Sequence, residues 1–239
     1  MISRTAPITV TEPLSLPPLR RPRRPVNLAR VASLVSKGVA AVDATVEPFA
    51  AEWDRRNAAA LTVDGPLWVA LGDSVTQGIG AGDVDASYPA IVVRYLRETT
   101  GEPWRLINLS MSGARFADVV DPQLTVLRDA GLEPDLVTAL VGSNDLIWRR
   151  DTDAVIADAR RLVDALPGGT ILSRVAEGPS DRRRLGVNRV FTTAEAAGRV
   201  RLYDAWAWPS AAGMWAQDRF HPNDRAHEHL AENLLGALS

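Results

Sequence analysis

The chain has 239 residues, enough for one large domain or a medium domain with an extension, and its 46% apolar content supplies a sizeable buried core. Its 27 basic residues against 29 acidic ones exclude a globally basic nucleic-acid-binding coat. With no cysteine there is no disulfide, thiolate nucleophile or Cys-containing zinc site. The three histidines, His221, His227 and His229, fall within nine residues of one another, so any imidazole chemistry is confined to one stretch.

Residues 1–25 hold six of the 16 prolines, and the run carries Arg20, Arg21, Arg23 and Arg24. This composition predicts a disordered or polyproline-like solvated arm. The sharper alternative is weak contact of the arm with an anionic surface. The arginines do not make an export signal, because the segment after them contains Arg30, Lys37 and Asp43 and has no uncharged apolar core. No stretch approaches 18 consecutive apolar residues, so no transmembrane helix is expected and a cytoplasmic location follows as the expectation. Residues 26–61 predict an amphipathic helical extension. Leu28, Val35, Val42 and Phe49 recur every seven residues, and Ala32, Val39, Val46 and Trp53 repeat the spacing four residues later. The stripe fits packing onto the following domain, with Pro48 predicted to split or kink the helix.

From Leu67 onward, short apolar runs alternate with helical periodicity. Leu67–Leu71, Arg105–Leu109, Asp135–Val141, Thr170–Val175 and Val200–Tyr203 read as strands. Between them, Tyr88–Arg97, Phe116–Asp129, Ala154–Leu166 and Arg182–Ala197 read as helices, and a last helix follows Pro222, placed in its first turn. The alternation predicts an α/β domain over 65–239 with a central parallel sheet of about five strands and helices on both faces. In such sheets, chemistry sits beyond the carboxyl ends of the strands.

Four sequence points fall there or in a late loop: Gly72-Asp73-Ser74, Ser112-Gly113, Gly142-Ser143-Asn144-Asp145 and Asp218-Arg219-Phe220-His221. A serine hydroxyl attacks an acyl group only when a base takes its proton, and a carboxylate must orient that base. Asp218 and His221, three residues apart, supply both from one loop, with Ser74 as the nucleophile. The oxyanion needs donors, for which the Ser74 and Gly113 amides and the Asn144 side chain are candidates. Asp73 and Asp145 read as turn-organising carboxylates. Trp148 and Phe220 are candidate substrate-pocket residues, and Trp206, Trp208 and Trp215 flank the same loop. Arg149 and Arg150 read as a solvated pair, with an anion contact as the alternative.

These four blocks, spread over residues 72–221, resemble the SGNH hydrolases, also called GDSL esterases or lipases. The resemblance implies a three-layer α/β/α flavodoxin-like fold. It also implies Ser74, His221 and Asp218 as the triad, and Ser74, Gly113 and Asn144 as the oxyanion hole. The first 60 residues lie outside it. Val75 stands where the family often has leucine.

No metal or cofactor is expected. Asp83 and Asp85 lack the other ligands of a calcium site. His227 and His229 are two apart rather than four, with His227 expected inside the last helical layer and His229 solvated. Gly78, Gly80 and Gly82 miss the dinucleotide spacing, because a third glycine would be needed at Asp83. The expected function is a serine esterase on small to medium acyl esters or thioesters. An acyltransferase using the same acyl-enzyme with an alcohol or sugar acceptor is the alternative, and a non-catalytic binding module is a third. The expected partner is a small-molecule acyl ester, with no nucleic acid, and the oligomeric state is open.

Overall fold

The computed structural model describes residues 14–23, 36–147, 150–176, 181–208 and 210–239. Its centre is a five-stranded parallel sheet made of β1 (Leu67–Gly72), β2 (Arg105–Asn108), β3 (Leu136–Leu140), β4 (Thr170–Ser173) and β5 (Val200–Tyr203). The strand order is β2-β1-β3-β4-β5. All five strands lie where the alternation predicts, β1 one residue longer and β2, β3 and β4 one or two residues shorter at some ends. The β1 run Leu-Trp-Val-Ala-Leu-Gly is buried throughout, as an inner parallel strand covered on both faces must be. β5, at an edge, is buried only at its ends, with Arg201 exposed and Leu202 part-buried between Val200 and Tyr203.

Among the described residues the main helices are α1 (Lys37–Asp43), α2 (Val46–Ala60), α3 (Ser74–Gln77), α4 (Tyr88–Thr100), α5 (Leu124–Asp129), α6 (Ser143–Ile147), α7 (Thr152–Ala165), α8 (Arg182–Ala196) and α9 (Asp224–Leu238), with the short helical turns Phe116–Asp118 and Val119–Gln123 before α5. They divide the core in two. One buried cluster joins Val69, Leu71 and Ile107 to Phe116, Leu162 and Phe191. The other joins Trp68, Ala70 and Ile171 to Val92, Leu230 and Leu234. These are the two helical layers of the expected three-layer architecture.

The chain goes from β1 to β2 on one side, then returns to β3 on the other. This reversal opens a crevice at the carboxyl end of β1, where ligands of doubly wound sheets bind. Residues 74, 112–113 and 143–144 all follow strands that flank it.

Four expectations are corrected. The described part of the arm, residues 14–23, has no regular secondary structure, but it is not a free tail. Leu16 and Leu19 pack against the core, Arg20 pairs with Asp54 at 2.5 Å, and Arg21 pairs with Asp43 at 2.7 Å. Both arginines thus pair with the chain's own carboxylates. Residues 1–13 and 24–35 lie outside the described residues, including the Leu28, Ala32 and Val35 positions of the stripe. Of the stripe's described residues, Val42, Val46, Phe49 and Trp53 are buried in one cluster with Trp68, whereas Val39 is part-exposed.

The helical break falls at Ala44–Thr45, not at Pro48, which sits in the first turn of α2. A first-turn proline loses no intrahelical hydrogen bond. Conversely, Phe116–Asp129 is not one helix. Asp121 leaves helical geometry (φ −151°, ψ 116°) because Pro122 follows it, and α5 starts only at Leu124. Pro222 also stands outside the last helix. Asn223 is the N-cap, accepting the Ala226 amide, and α9 starts at Asp224.

Candidate active site

β1 ends at Gly72, and the chain turns at once into the short α3. Asp73 caps that turn by accepting the Val75 amide at 3.0 Å, as expected of a turn-organising carboxylate. Ser74 is the first helical residue, so its own amide has no partner within the helix. The turn is tight enough to require glycine at 72, because a Cβ there would lie 2.2 Å from Thr76 Oγ1 and 2.4 Å from the Leu140 carbonyl oxygen. The buried side chain of Gln123 holds the Gly72 peptide from both sides. Its Oε1 accepts the Gly72 amide at 2.9 Å, and its Nε2 donates to the Gly72 carbonyl at 2.7 Å.

His221 arrives from the loop before α9. That loop is fastened by the Ala216 amide on the His221 carbonyl at 2.8 Å and by the Asn223 side chain on the Gly213 carbonyl at 2.8 Å. Arg219 takes a left-handed φ of 55°, which lets Asp218 fold back on the turn. Asp218 Oδ1 accepts the Phe220 and His221 amides, both at 3.0 Å, while Oδ2 lies 2.5 Å from His221 Nδ1. Burial works to raise the Asp218 pKa. The hydrogen bond and positive field of His221 and the two amides outweigh it, leaving the pKa below the ordinary value. The carboxylate is thus ionised, which places the imidazole proton on Nδ1 and leaves Nε2 an acceptor. His221 Nε2 lies 3.0 Å from Ser74 Oγ, across 147 residues of sequence. The structure therefore brings Ser74, His221 and Asp218 into one hydrogen-bonded line.

The oxyanion candidates follow the carboxyl ends of neighbouring strands. Gly113 sits in a left-handed turn (φ +81°) after β2, and Asn144 lies in α6. Asn144 Nδ2 donates to the Ala114 carbonyl at 3.0 Å, which ties α6 to the Gly113 turn and leaves a second N–H on the same nitrogen. Asp145 reinforces that tie by accepting the Phe116 amide at 3.0 Å. Arg150 is not a solvated residue. It pairs with Asp145 and Asp158, both at 2.6 Å, and keeps the fully buried Asp145 side chain from standing alone. Burial still raises the Asp145 pKa to about 6, against the Phe116 amide and the arginines.

Phe220 is exposed and stacks edge-on to the His221 ring at 4.8 Å, beside the reacting atoms. Trp206, Trp208 and Trp215 form a chain of edge-to-face contacts at 5.6 and 5.8 Å. The first two pack on the core, while Trp215 is part-exposed next to the loop. Trp148 and Arg149 lie outside the described residues. His227 is buried, accepts the Tyr88 amide and stacks on the Tyr88 ring; desolvation pushes its pKa down to about 3, so it is neutral. His229 pairs with Glu232 on the surface. Asp83 accepts the Ala86 amide, and Asp85 pairs with Arg56.

The Gly78–Gly82 run has a different purpose from phosphate binding. Gly78 ends α3 in the left-handed region (φ 91°), and the Gly82 amide donates to Asp224 at 2.6 Å. Gly80 lets the chain pass directly against His221 and Pro222. Three supports were not legible in the sequence: Gln123 on Gly72, Gln77 on the Ser112 amide at 2.8 Å, and the Asn57 side chain on the Asn108 backbone at 2.8 and 2.9 Å. Each is a lone amide side chain meeting backbone more than 30 residues away, for which no spacing rule exists.

Asp73 yields a pH-dependent prediction. Full burial raises its carboxyl from 3.8 to about 7, against the Val75 amide, and the Asp145 charge adds to the rise. Between those values the folded chain keeps a proton that the unfolded chain has lost, so the Asp73 contribution lowers stability as pH rises. Asparagine cannot ionise and still accepts the Val75 amide. Asp73→Asn should therefore gain Tm relative to wild type between about pH 4 and pH 7. A Tm difference that stays flat across that interval contradicts this assignment.

Residues 70–229 match the model of the GDSL-like lipase/acylhydrolase family. The chain belongs to this family. Its members are enzymes that hydrolyse ester bonds, and the extension before residue 70 lies outside the match. A lipase from Streptomyces rimosus is 38% identical over 88 residues, a match covering 33% of this chain and 30% of that protein's length. The chain thus spans under a third of this relative. Among solved structures, TesA superposes with a TM-score of 0.61 at 21% identity, over 72% of this chain and 98% of TesA. A variant of Axe2, an acetyl xylan esterase from Geobacillus stearothermophilus, gives 0.58 at 23% identity, over 74% of this chain and 95% of Axe2. At these identities the two structures establish the shared fold. No helix among the described residues is long and apolar enough to cross a membrane.

Proposed function

We propose that this chain is a serine esterase that works through an acyl-enzyme on Ser74. The observation that carries the reading is the 3.0 Å approach of Ser74 Oγ to a His221 ring whose other nitrogen is held by Asp218. Ser74 Oγ attacks the acyl carbonyl carbon as its proton passes to His221 Nε2. Asp218 holds the Nδ1–H and stabilises the imidazolium. The oxyanion receives the Ser74 and Gly113 amides and the Asn144 side chain. When the intermediate collapses, the C–O bond to the leaving alcohol breaks and the alcohol takes the proton from Nε2. Water then gives a proton to Nε2 as its oxygen attacks the acyl-enzyme carbonyl carbon; the C–Oγ bond breaks, Ser74 Oγ takes the proton back from Nε2, and the acid leaves.

The substrates in this reading are small to medium acyl esters or thioesters, with Phe220 as an apolar wall beside the scissile bond. A p-nitrophenyl ester series from acetate to long-chain acyl, run with and without an added alcohol, tests the reading. Turnover that favours short and medium chains, with the free acid as main product, is expected. A folded wild-type protein that releases no p-nitrophenol overturns it, and a dominant new ester in the presence of alcohol replaces it with acyl transfer.

A further inference from the structure

The extension outside the family match reaches the reacting centre from two sides. On one side, a Cβ at Gly38 in α1 would lie 2.3 Å from the Gln217 carbonyl oxygen, so α1 rests directly on the backbone next to Asp218. On the other, the extended segment 14–23 passes over the turn that presents Gly113. The Arg21 guanidinium donates to Ser112 Oγ at 3.3 Å, and its stem lies against Gly113, 3.8 Å from where a Cβ would stand. A second guanidinium nitrogen pairs with Asp43 at the end of α1. Ser112 is gripped from the far side as well, its amide donating to Gln77 Oε1, while Gln77 Nε2 reaches the Val46 carbonyl at the start of α2.

From this arrangement we infer that Arg21 is a positioning residue for the oxyanion hole, an inference that rests on the esterase reading of the site. The Ser112-Gly113 turn carries the only oxyanion candidate that comes from neither a helix start nor a side chain. Glycine at 113 has no side chain to anchor it, and its left-handed φ is open to other conformations. Arg21 adds an anchor to those of Gln77 and Asn144 by donating to the preceding hydroxyl and covering the glycine. Asp43 fixes the guanidinium in turn. The Gly113 N–H thereby stays aimed where charge develops, and it owes that aim to a residue outside the matched domain. Stabilisation of this kind depends on donors already in place, because a donor that must reorient during reaction loses much of its effect.

The test compares wild type with Arg21→Ala, Arg21→Lys, Asp43→Asn and Arg21→Ala/Ser112→Ala. The readouts are kcat and KM for a p-nitrophenyl ester, Tm, and the rate at which a fluorophosphonate modifies Ser74. In that last reaction the Oγ–P bond forms, fluoride leaves and the proton goes to His221, so it also uses the oxyanion donors without needing ester turnover. Arg21→Ala should lower kcat roughly tenfold or more with KM within about twofold, short of the ~10²–10³-fold loss of deleting a donor outright. Phosphonylation should slow in parallel. Arg21→Lys should recover part of the rate, Asp43→Asn should move it the same way, and the double variant should be no slower than Arg21→Ala alone. Unchanged kcat and labelling in Arg21→Ala overturn the inference. So does a rise in KM alone, which would make Arg21 a substrate contact, or a rate loss that only follows the folded fraction. If wild type labels with the fluorophosphonate but hydrolyses no ester, the esterase reading fails while the labelling rates still decide the role of Arg21.

Discussion

Ser74→Ala is expected to lower kcat/KM for ester hydrolysis by roughly 10⁴- to 10⁶-fold while leaving Tm nearly unchanged. The hydroxyl is the only group in the site that both touches His221 Nε2 and can form a bond to carbon, and its removal leaves the oxyanion donors and the pocket intact. His221→Ala should cost about as much. The double variant should be little worse than either alone, because nucleophile and base act as one unit. Steady-state kinetics on a short-chain p-nitrophenyl ester measure this directly. A Ser74→Ala protein within about tenfold of wild type would place the chemistry elsewhere.

Gly80→Ala carries the second large effect, and it acts without touching substrate. A Cβ at this position would stand 2.2 Å from the Pro222 carbonyl oxygen and 2.8 Å from His221 Cβ, and the φ of +105° disfavours any side chain. Either the 78–82 segment or the His221 loop must move. The loop is held by the Ala216–His221 hydrogen bond and the bridge between Trp215 and Pro222, so the strain falls on the 3.0 Å approach of His221 to Ser74. A displacement near 1 Å at such a contact costs about 10²-fold in kcat, and that is the expected loss. Gly198→Ala is the matched control. Its φ is also left-handed (+71°), but nothing lies within 4 Å, so it should cost some stability and leave kcat alone. Full activity in Gly80→Ala would show that the His221 loop has slack that these contacts exclude.

The parts of this protein legible in its sequence are those that repeat or cluster locally. The five strands announce themselves as short apolar runs bounded by helical periodicity, and the alternation implies their parallel arrangement, whereas the order β2-β1-β3-β4-β5 has no local signature. Ser74, Gly113, Asn144 and the Asp218–His221 pair stand in four recognisable blocks, and the structure brings all four blocks to one end of the sheet. What escaped the sequence is long-range. Gln123 clamps Gly72 across 51 residues, and Arg21 reaches Ser112 across 91. Neither residue has a partner at any regular spacing. The arm shows the same limit from the other direction. Proline and arginine make it read as solvated, yet Leu16 and Leu19 find core to pack on, and the arginines find Asp54 and Asp43. Proline misled at three positions, Pro48, Pro122 and Pro222, because its effect depends on register. Pro48 is harmless in a first turn, whereas Pro122 breaks the helix that periodicity alone would continue. The glycines at 78, 80 and 82 were informative only as a failed motif, since a close backbone approach to His221 has no sequence signature.

The most direct measurement for the central claim is intact-protein mass after reaction with a fluorophosphonate, followed by mapping of the modified peptide. An activated Ser74 predicts one stoichiometric adduct on that residue in wild type and none in Ser74→Ala, with labelling slowed strongly in His221→Ala. An adduct on another residue, or equal labelling of wild type and Ser74→Ala, would contradict the account.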